Sequence, residues 1–227
     1  NKISKKLLLT LTFVFIFGLF QAVVGWWMVK SGLTENPYVS AYRLTFHLSN
    51  ALIIFSILFW TTLSNSYEKN TKKENNKNIN YYFHIGLFLI FLTIISGGFM
   101  AGTNSGQSFN TYPLMNGSFI PEGYYFNELG LLNSFENTIA INFNHRWLAS
   151  FTFIFIFIVT FYLILSNNYQ EKNLPLIFVL LTISIQFLLG ILTLIYNVPI
   201  SLASLHQTNS ILLLSSMLFA FHRHKYR

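Results

Sequence analysis

Six apolar stretches, each about long enough to cross a bilayer, dominate this 227-residue sequence. A membrane-spanning helix needs about 20 apolar residues. Only 9% of the residues are charged, whereas soluble domains average about 25%. The stretches show no period-two alternation, which argues against a membrane barrel. The sequence therefore predicts an all-α integral membrane protein with six transmembrane helices, at approximately residues 7–29, 41–64, 81–101, 142–166, 174–196 and 200–222.

The basic residues predict an orientation for these helices. Lysines and arginines cluster in both tails and in the connections after the second and fourth stretches, whereas the long connection 102–141 has none. The positive-inside rule places the clusters, and so both termini, on the cytoplasmic or matrix side, with loop 102–141 outside. A loop of this length is expected to pack over the mouth of the bundle. Basic residues distributed in this way do not indicate nucleic-acid binding.

Three histidines are predicted to lie at one depth in the bundle. The motif Asn142-Phe-Asn-His145-Arg146-Trp147 opens the fourth stretch. Ionisable groups inside a membrane helix are functional candidates, although an arginine can also extend to the interface. By the predicted topology His47, His145 and His206 all lie one to two turns inside the outer face.

The other three histidines are not predicted to belong to a site. His84 begins the third helix on the inner side and is expected at the interface. His222 and His224 are assigned to the basic C-terminal tail. Small residues at Gly97, Gly98, Ala101 and Gly102 predict close helix packing.

Two short motifs recur in the same order and indicate an internal repeat. The second helix contains His47-Leu-Ser-Asn50 and the sixth contains His206-Gln-Thr-Asn209. The helix before each contains Gln-x-x-x-Gly, at Gln21 and at Gln186. Helices one and two therefore resemble helices five and six.

Under this interpretation helices three and four have no counterparts in the first copy. We therefore expect the chain to be an N-terminally truncated piece of an eight-helix protein built from two four-helix repeats. Residues 1–66 would be the second half of the first repeat, 67–80 a cytoplasmic linker and 81–227 the complete second repeat. A six-helix protein with an accidental resemblance is the alternative.

Histidines without cysteines or buried acids favour haem over zinc or di-iron. Neutral imidazole suits iron, copper and zinc, and two histidines from opposed helices in an aromatic-rich bundle suit haem best. His145 and His206 fall in one repeat and form the natural pair, and His47 would pair with a histidine on a missing helix. Arg43 and Arg146 could neutralise haem propionates. A bis-histidine electron-carrying cytochrome b and a non-haem transporter or assembly scaffold are the competing functions.

Stretches along the whole chain resemble the haem A synthase family, in its mitochondrial and alphaproteobacterial branch. They are QAVVGWWMVKSGL, VSAYRLTFHL, GGFMAGTNSGQSFNTYPLMNG, NFNHRW and HQTN, at 21–33, 39–48, 97–117, 142–147 and 206–209. The family's other branch carries a cysteine pair in an outer loop, and this chain has no cysteine.

The resemblance implies oxidation of the C8 methyl of haem O to a formyl group, which supplies haem A to terminal oxidases. It assigns His145 and His206 to the iron of a haem b cofactor, and His47 to the iron of the substrate haem in the catalytic half. Arg43 and Arg146 would assist cofactor binding, and turn 110–115 would cap the pocket. The family's first Glu-x-x-His-Arg motif would precede residue 1, so the fragment alone is expected to be inactive.

The same resemblance implies the surroundings of the protein. Its partners would be membrane lipid, haem O, an electron donor such as a ferredoxin, haem O synthase and further copies of itself, with no nucleic acid. Its location would be the bacterial inner membrane, as a multi-pass protein with cytoplasmic termini, or the mitochondrial inner membrane in a eukaryote.

Overall fold

The computed structural model describes residues 4–32, 37–66, 77–166 and 173–226. Within these ranges six long helices form close to the predicted positions, which confirms the all-α class, and no β-strand is present. Segment 103–137, which connects the third and fourth long helices, contains a single-turn helix and two 3₁₀ turns. The helices are α1 (Lys5–Val29), α2 (Ala41–Ser66), α3 (Lys77–Gly102), the single turn α4 (Asn133–Glu136), α5 (Thr138–Leu165), α6 (Leu174–Ile195) and α7 (Ile200–Tyr226).

Several helices extend beyond the apolar stretches that predicted them. Helices α3 and α5 begin about one turn earlier than predicted, and α7 ends about one turn later. Hydropathy marks only the lipid-facing part of a helix, whereas capping decides where it begins. At the start of α5, the Asn137 side chain accepts a hydrogen bond from the Ile139 amide at 3.0 Å.

The chain is a multi-pass membrane protein. Five of the long helices are long and apolar enough to cross a bilayer, and α7 is the more polar exception. The 27 residues of α7 give a length of about 40 Å. Its polar residues Asn209, Ser210 and Ser216 are buried, and its main neighbours are α2, α3 and α6. These three polar side chains are therefore covered by protein and do not need to be compatible with lipid.

Four helices form a ring that positions the histidines. Each neighbouring pair in the order α3, α5, α6, α7 and back to α3 is packed together, whereas α5 and α7 share little or no direct contact. His145 on α5 and His206 on α7 therefore come from diagonally opposed helices. Helix α2 packs outside this ring on α3 and α7, and α1 packs on α2.

The apolar core fills only one end of this bundle. Its fully buried members include Phe83, Ile156, Leu176, Val179 and Met217. These residues lie in the first half of α3 and α6 and in the second half of α5 and α7. The chain direction places them away from segment 103–137, at what we call the core end. The three candidate histidines lie toward the other end, the loop end.

His222 and His224 do not lie in a solvated tail, which corrects the prediction for both. They are 2% and 5% exposed within α7. The His222 ring packs against Trp60 with centroids 5.1 Å apart, and His222 Nε2 lies 3.2 Å from Ser64 Oγ. The sequence suggested a tail because basic residues follow the apolar run, but the helix continues while still packed in the bundle. His84, by contrast, is exposed, as expected for an interfacial residue.

Glycines allow α2 and α3 to approach closely. A Cβ added at Gly98 would lie 2.9 Å from Thr45 Oγ1, and one added at Gly102 would lie 2.6 Å from Ala41 Cα. Such contacts are shorter than van der Waals distance, so only glycine fits at this helix spacing. This confirms the packing role predicted for these two small residues.

We expect Gly102→Ala to destabilise the protein, because the new methyl group would meet the Ala41 backbone, which cannot rotate away. Overpacking of this kind costs roughly 1–3 kcal/mol. Thermal unfolding in detergent measures the effect. Gly18→Ala is the matched control, because no atom lies within 4 Å of the added Cβ and alanine favours helix. Equal unfolding midpoints for the two variants would contradict the packing argument.

Candidate functional site

Each of the three histidines packs against a glycine of the preceding long helix. A Cβ added at Gly25 or Gly190 would lie 3.0 Å from Cε1 of His47 or His206, respectively. The imidazole of each therefore lies against exposed backbone. At Gly97 the corresponding distance to His145 Cε1 is 3.3 Å. Gly97 thus differs from its neighbour Gly98: a Cβ added at Gly97 would contact the His145 ring, whereas one added at Gly98 would contact Thr45 of α2.

Two of the histidines, His47 and His206, are each contacted by a glutamine that lies one turn before the glycine on the preceding helix. Gln21 Nε2 lies 3.4 Å from His47 Nε2 and donates to the His47 carbonyl at 2.9 Å. Gln186 Nε2 lies 3.3 Å from both ring nitrogens of His206. The Gln-x-x-x-Gly and His motifs, recognised in the sequence only as a repeat, thus form the same local arrangement on α1–α2 and on α6–α7.

The arrangement on α6–α7 is more completely hydrogen bonded than the one on α1–α2. Asn209 Nδ2 donates to Gln186 Oε1 and to the Thr182 carbonyl, both at 2.9 Å. In the first arrangement the corresponding atoms, Gln21 Oε1 and Asn50 Nδ2, are buried and have no hydrogen-bond partner among the described residues. Within the described residues, two polar atoms near His47 therefore lack hydrogen-bond partners.

His145 is held by a serine instead of a glutamine. Ser96 Oγ lies 2.7 Å from His145 Nδ1 and donates to the Thr93 carbonyl at 2.8 Å. Ser96 is not among the residues predicted from the sequence. The sequence feature that could have indicated it is its position directly before Gly97, the glycine on which His145 packs.

The pair His145 and His206 fits a bis-histidine ligand set. The two side chains project from the diagonal helices α5 and α7, both at the loop end. Phe153, about two turns along α5 from His145, stacks on Phe187 of α6 with centroids 4.2 Å apart. The glycines let each ring pack directly against the backbone of the neighbouring helix, and the aromatic pair provides apolar surface for a flat cofactor. These residues fit haem.

The described residues support a zinc or di-iron centre less well than haem. Within the described residues, no group of three or more His, Cys, Asp or Glu side chains could hold a metal ion. A zinc or di-iron site needs such a group, whereas haem needs only one or two axial ligands.

The two predicted propionate partners have other contacts in this structure. Arg146 is 8% exposed, and its guanidinium donates through Nε to Asn142 Oδ1 at 2.6 Å. Its Nη1 and Nη2 donate to the carbonyls of Thr111 and Phe109 at 2.7 and 2.8 Å. Arg146 thus ties α5 to the loop, and three of its five N–H groups are used in doing so.

Arg43 lies near the surface of α1. Its Nη1 donates to the Trp27 carbonyl at 2.9 Å, and its guanidinium lies over the Trp27 ring, 4.4 Å from the centroid. The sequence predicted the same role for Arg43 and Arg146, but Arg146 is buried whereas Arg43 is only half-buried.

Segment 103–137 packs over the loop end of the bundle, as expected. Asn142, fully buried on α5, donates to the Ser105 carbonyl at 2.6 Å. The Tyr112 ring of the predicted capping turn lies 6.2 Å from the Phe187 ring. On the other side Tyr42 donates to Glu136 at 3.2 Å, so the segment also contacts α2. It therefore covers the end of the bundle that carries the histidines.

Comparison with known proteins agrees with this geometry. Residues 1–218 match the COX15-CtaA family, described as cytochrome oxidase assembly protein. The chain belongs to this family. Members of known name include Heme A synthase of Wolbachia pipientis wMel, which is 42% identical over 96% of this chain and 61% of its own length. Heme A synthases of Bartonella henselae and Nitrosospira multiformis are 38% and 34% identical, over 93% and 97% of this chain.

These relatives are longer than the chain. The matched region covers 59% of the Bartonella henselae protein and 62% of the Nitrosospira multiformis protein. The chain thus spans about three fifths of the length of its COX15-CtaA relatives. All three candidate ligand histidines nevertheless fall within residues 1–218, the region that the family match covers.

We expect Arg146→Lys to loosen segment 103–137. A lysine carries one nitrogen in place of the three that now donate, and each buried acceptor left unpaired costs roughly 1–3 kcal/mol. Amide hydrogen exchange across residues 105–116 should therefore become about tenfold faster or more, which mass spectrometry can measure. Arg43→Lys is the control, because among the described residues Arg43 contacts Trp27 of α1 and not segment 103–137. Unchanged exchange in Arg146→Lys would contradict this anchoring role.

Proposed function

We propose that the protein to which this chain belongs is a haem A synthase, which oxidises the C8 methyl of haem O to a formyl group. The observation that carries the proposal is the placement of His145 and His206 on diagonal helices at the loop end, each on a glycine. The family membership and the relatives named Heme A synthase support it. The haem A formed would supply terminal oxidases.

In this proposal the second repeat holds a haem b cofactor. His145 and His206 would hold the haem iron, and the stacked Phe153 and Phe187 would provide apolar surface beside it. A haem with both axial positions filled by histidine transfers electrons. Segment 103–137 excludes water from this end of the bundle, which strengthens the electrostatic contacts inside.

The substrate haem O belongs with His47 in the first repeat. The support is the recurrence of the glutamine, glycine and histidine arrangement on α1–α2, where buried polar atoms remain without partners in the described chain. We assign residues 1–66 to the second half of that repeat, 67–80 to a linker and 81–227 to the second repeat. Two further helices of the whole protein would complete the His47 pocket, and they would cover the exposed apolar side chains of α1.

The arginines are the cations available to haem carboxylates. Arg146 retains two N–H groups beyond its three contacts with the loop and with Asn142, so it can anchor the loop and also meet a propionate. Arg43 sits on Trp27 and can turn without breaking a buried network. Guanidinium groups suit carboxylates because they donate two parallel hydrogen bonds.

The location and partners follow from the same proposal. The chain would lie in the bacterial inner membrane, or the mitochondrial inner membrane in a eukaryote, with cytoplasmic termini and segment 103–137 outside. An electron donor such as a ferredoxin would approach the cytoplasmic side, and haem O synthase and further copies of the protein are the proposed neighbours. Labelling a cysteine placed at residue 125 from each side of the membrane tests this orientation.

We expect His145→Ala and His206→Ala each to abolish or convert a low-spin b-type haem spectrum in the purified protein, because each removes an axial ligand. His84→Ala is the control, since His84 is exposed and its Nδ1 lies 2.7 Å from the Asn80 carbonyl. Visible absorption and electron paramagnetic resonance report the spin state. A wild-type spectrum in both ligand variants would refute the assignment.

The whole protein should convert haem O to haem A, and residues 1–227 alone should not. The reason is geometric: without a complete His47 pocket the substrate is not held in one orientation, and small misplacements can cost about a hundredfold in rate. The test expresses both forms in cells that make haem O but lack their own synthase, and then separates the extracted haems. Haem A from the fragment would refute the incomplete-pocket argument. Filled haem sites without haem A in the whole protein would favour an electron-carrying cytochrome b.

A further inference from the structure

The hydroxyl of Ser96 makes two hydrogen bonds that together determine where protons lie. It is 2.8 Å from the Thr93 carbonyl on its own helix and 2.7 Å from His145 Nδ1 on α5. A serine hydroxyl has one hydrogen to donate and two lone pairs to accept with. A carbonyl oxygen only accepts, so the Ser96 hydrogen points to Thr93.

The remaining contact therefore requires a proton on the histidine. With its own hydrogen used, Ser96 Oγ can only accept from His145, so Nδ1 carries the hydrogen. In a neutral imidazole the other nitrogen, Nε2, then has a free lone pair. No hydrogen bond to His145 Nε2 is found in the described part of the chain. This is the tautomer that can bind iron through Nε2.

The contacts of His206 differ. Asn209 Nδ2 donates to the Thr182 carbonyl and to Gln186 Oε1, so the oxygen of Gln186 is directed to Asn209 and its NH₂ group to the histidine. Gln186 Nε2 lies 3.3 Å from both ring nitrogens of His206, so it does not select one tautomer of His206 as Ser96 does for His145.

We propose that Ser96 is a positioning residue that fixes the tautomer of His145 and increases its electron donation to haem iron. The proposal rests on the haem assignment made above for His145 and His206. A hydrogen bond from the distal N–H of a ligand imidazole raises the basicity of the ligating nitrogen. A more basic ligand stabilises ferric over ferrous iron, and so lowers the reduction potential of the haem.

The test uses the full-length protein in detergent with its haems and compares Ser96→Ala with Ser96→Thr. Alanine removes the acceptor, whereas threonine retains the hydroxyl. Ser56→Ala is the matched control, because the Ser56 hydroxyl also donates to a carbonyl of its own helix, that of Leu52 at 2.7 Å, and bonds to no histidine within the described residues. The measurements are haem dissociation, reduction potential by spectroelectrochemistry and thermal unfolding.

We expect Ser96→Ala to weaken haem binding about tenfold or more, as loss of outer hydrogen bonds does at other metal sites. Its reduction potential should rise relative to the wild type, and Ser96→Thr should restore both properties. Ser56→Ala should match the wild type in both.

Two results would overturn the proposal. One is wild-type haem affinity and potential in Ser96→Ala. The other is equal loss of haem and equal loss of stability in the alanine and threonine variants, which indicates a packing role. His145→Ala separates this failure from failure of the proposed function: if it keeps low-spin haem, the ligand assignment is wrong, whereas if it loses that haem and Ser96→Ala is unchanged, only the role of Ser96 is wrong.

Discussion

The cost of burying a polar group in a membrane governs most of this structure. Lipid offers no hydrogen bonds, so a polar side chain between helices needs a partner within the protein. The buried Asn209 and Ser216 of α7 meet this requirement through hydrogen bonds to Thr182 of α6. Arg146 meets it with two loop carbonyls and one amide oxygen. The buried charge and the ordered segment 103–137 therefore depend on each other.

The same cost distinguishes the two ends of the bundle. At the core end, Phe83, Ile156 and Met217 form an apolar core, beside which the buried His222 contacts Ser64. At the loop end the helices carry histidines, glutamines and asparagines, and glycines bring these groups close to neighbouring backbones. A bundle that is apolar throughout would be simpler to stabilise. The proposed haem site would use the nitrogen donors at this end.

The two arrangements of glutamine, glycine and histidine differ in how far this requirement is met. Around His206, Gln186 and Asn209 form a connected set. Around His47, the atoms Gln21 Oε1 and Asn50 Nδ2 remain buried without described partners, as does His47 Nδ1. Unsatisfied buried groups in a native protein usually mark a missing partner or a functional site. This contrast supports placing the cofactor in the second repeat and the substrate in the first.

The sequence by itself determined the helices, the membrane class and the three candidate histidines, because hydropathy and short motifs are local properties of the chain. It also predicted the close packing at Gly98 and Gly102. Only the tertiary structure decided that α5 and α7 are diagonal, that Gly97 faces His145 and that Ser96 holds its ring. It also showed that His222 and His224 are buried in the bundle rather than in a solvated tail. Arg146 donates to loop carbonyls about 35 positions away in the chain. These features depend on which helix faces meet, and a linear pattern of apolar residues does not encode how long helices rotate and pair when every face is apolar.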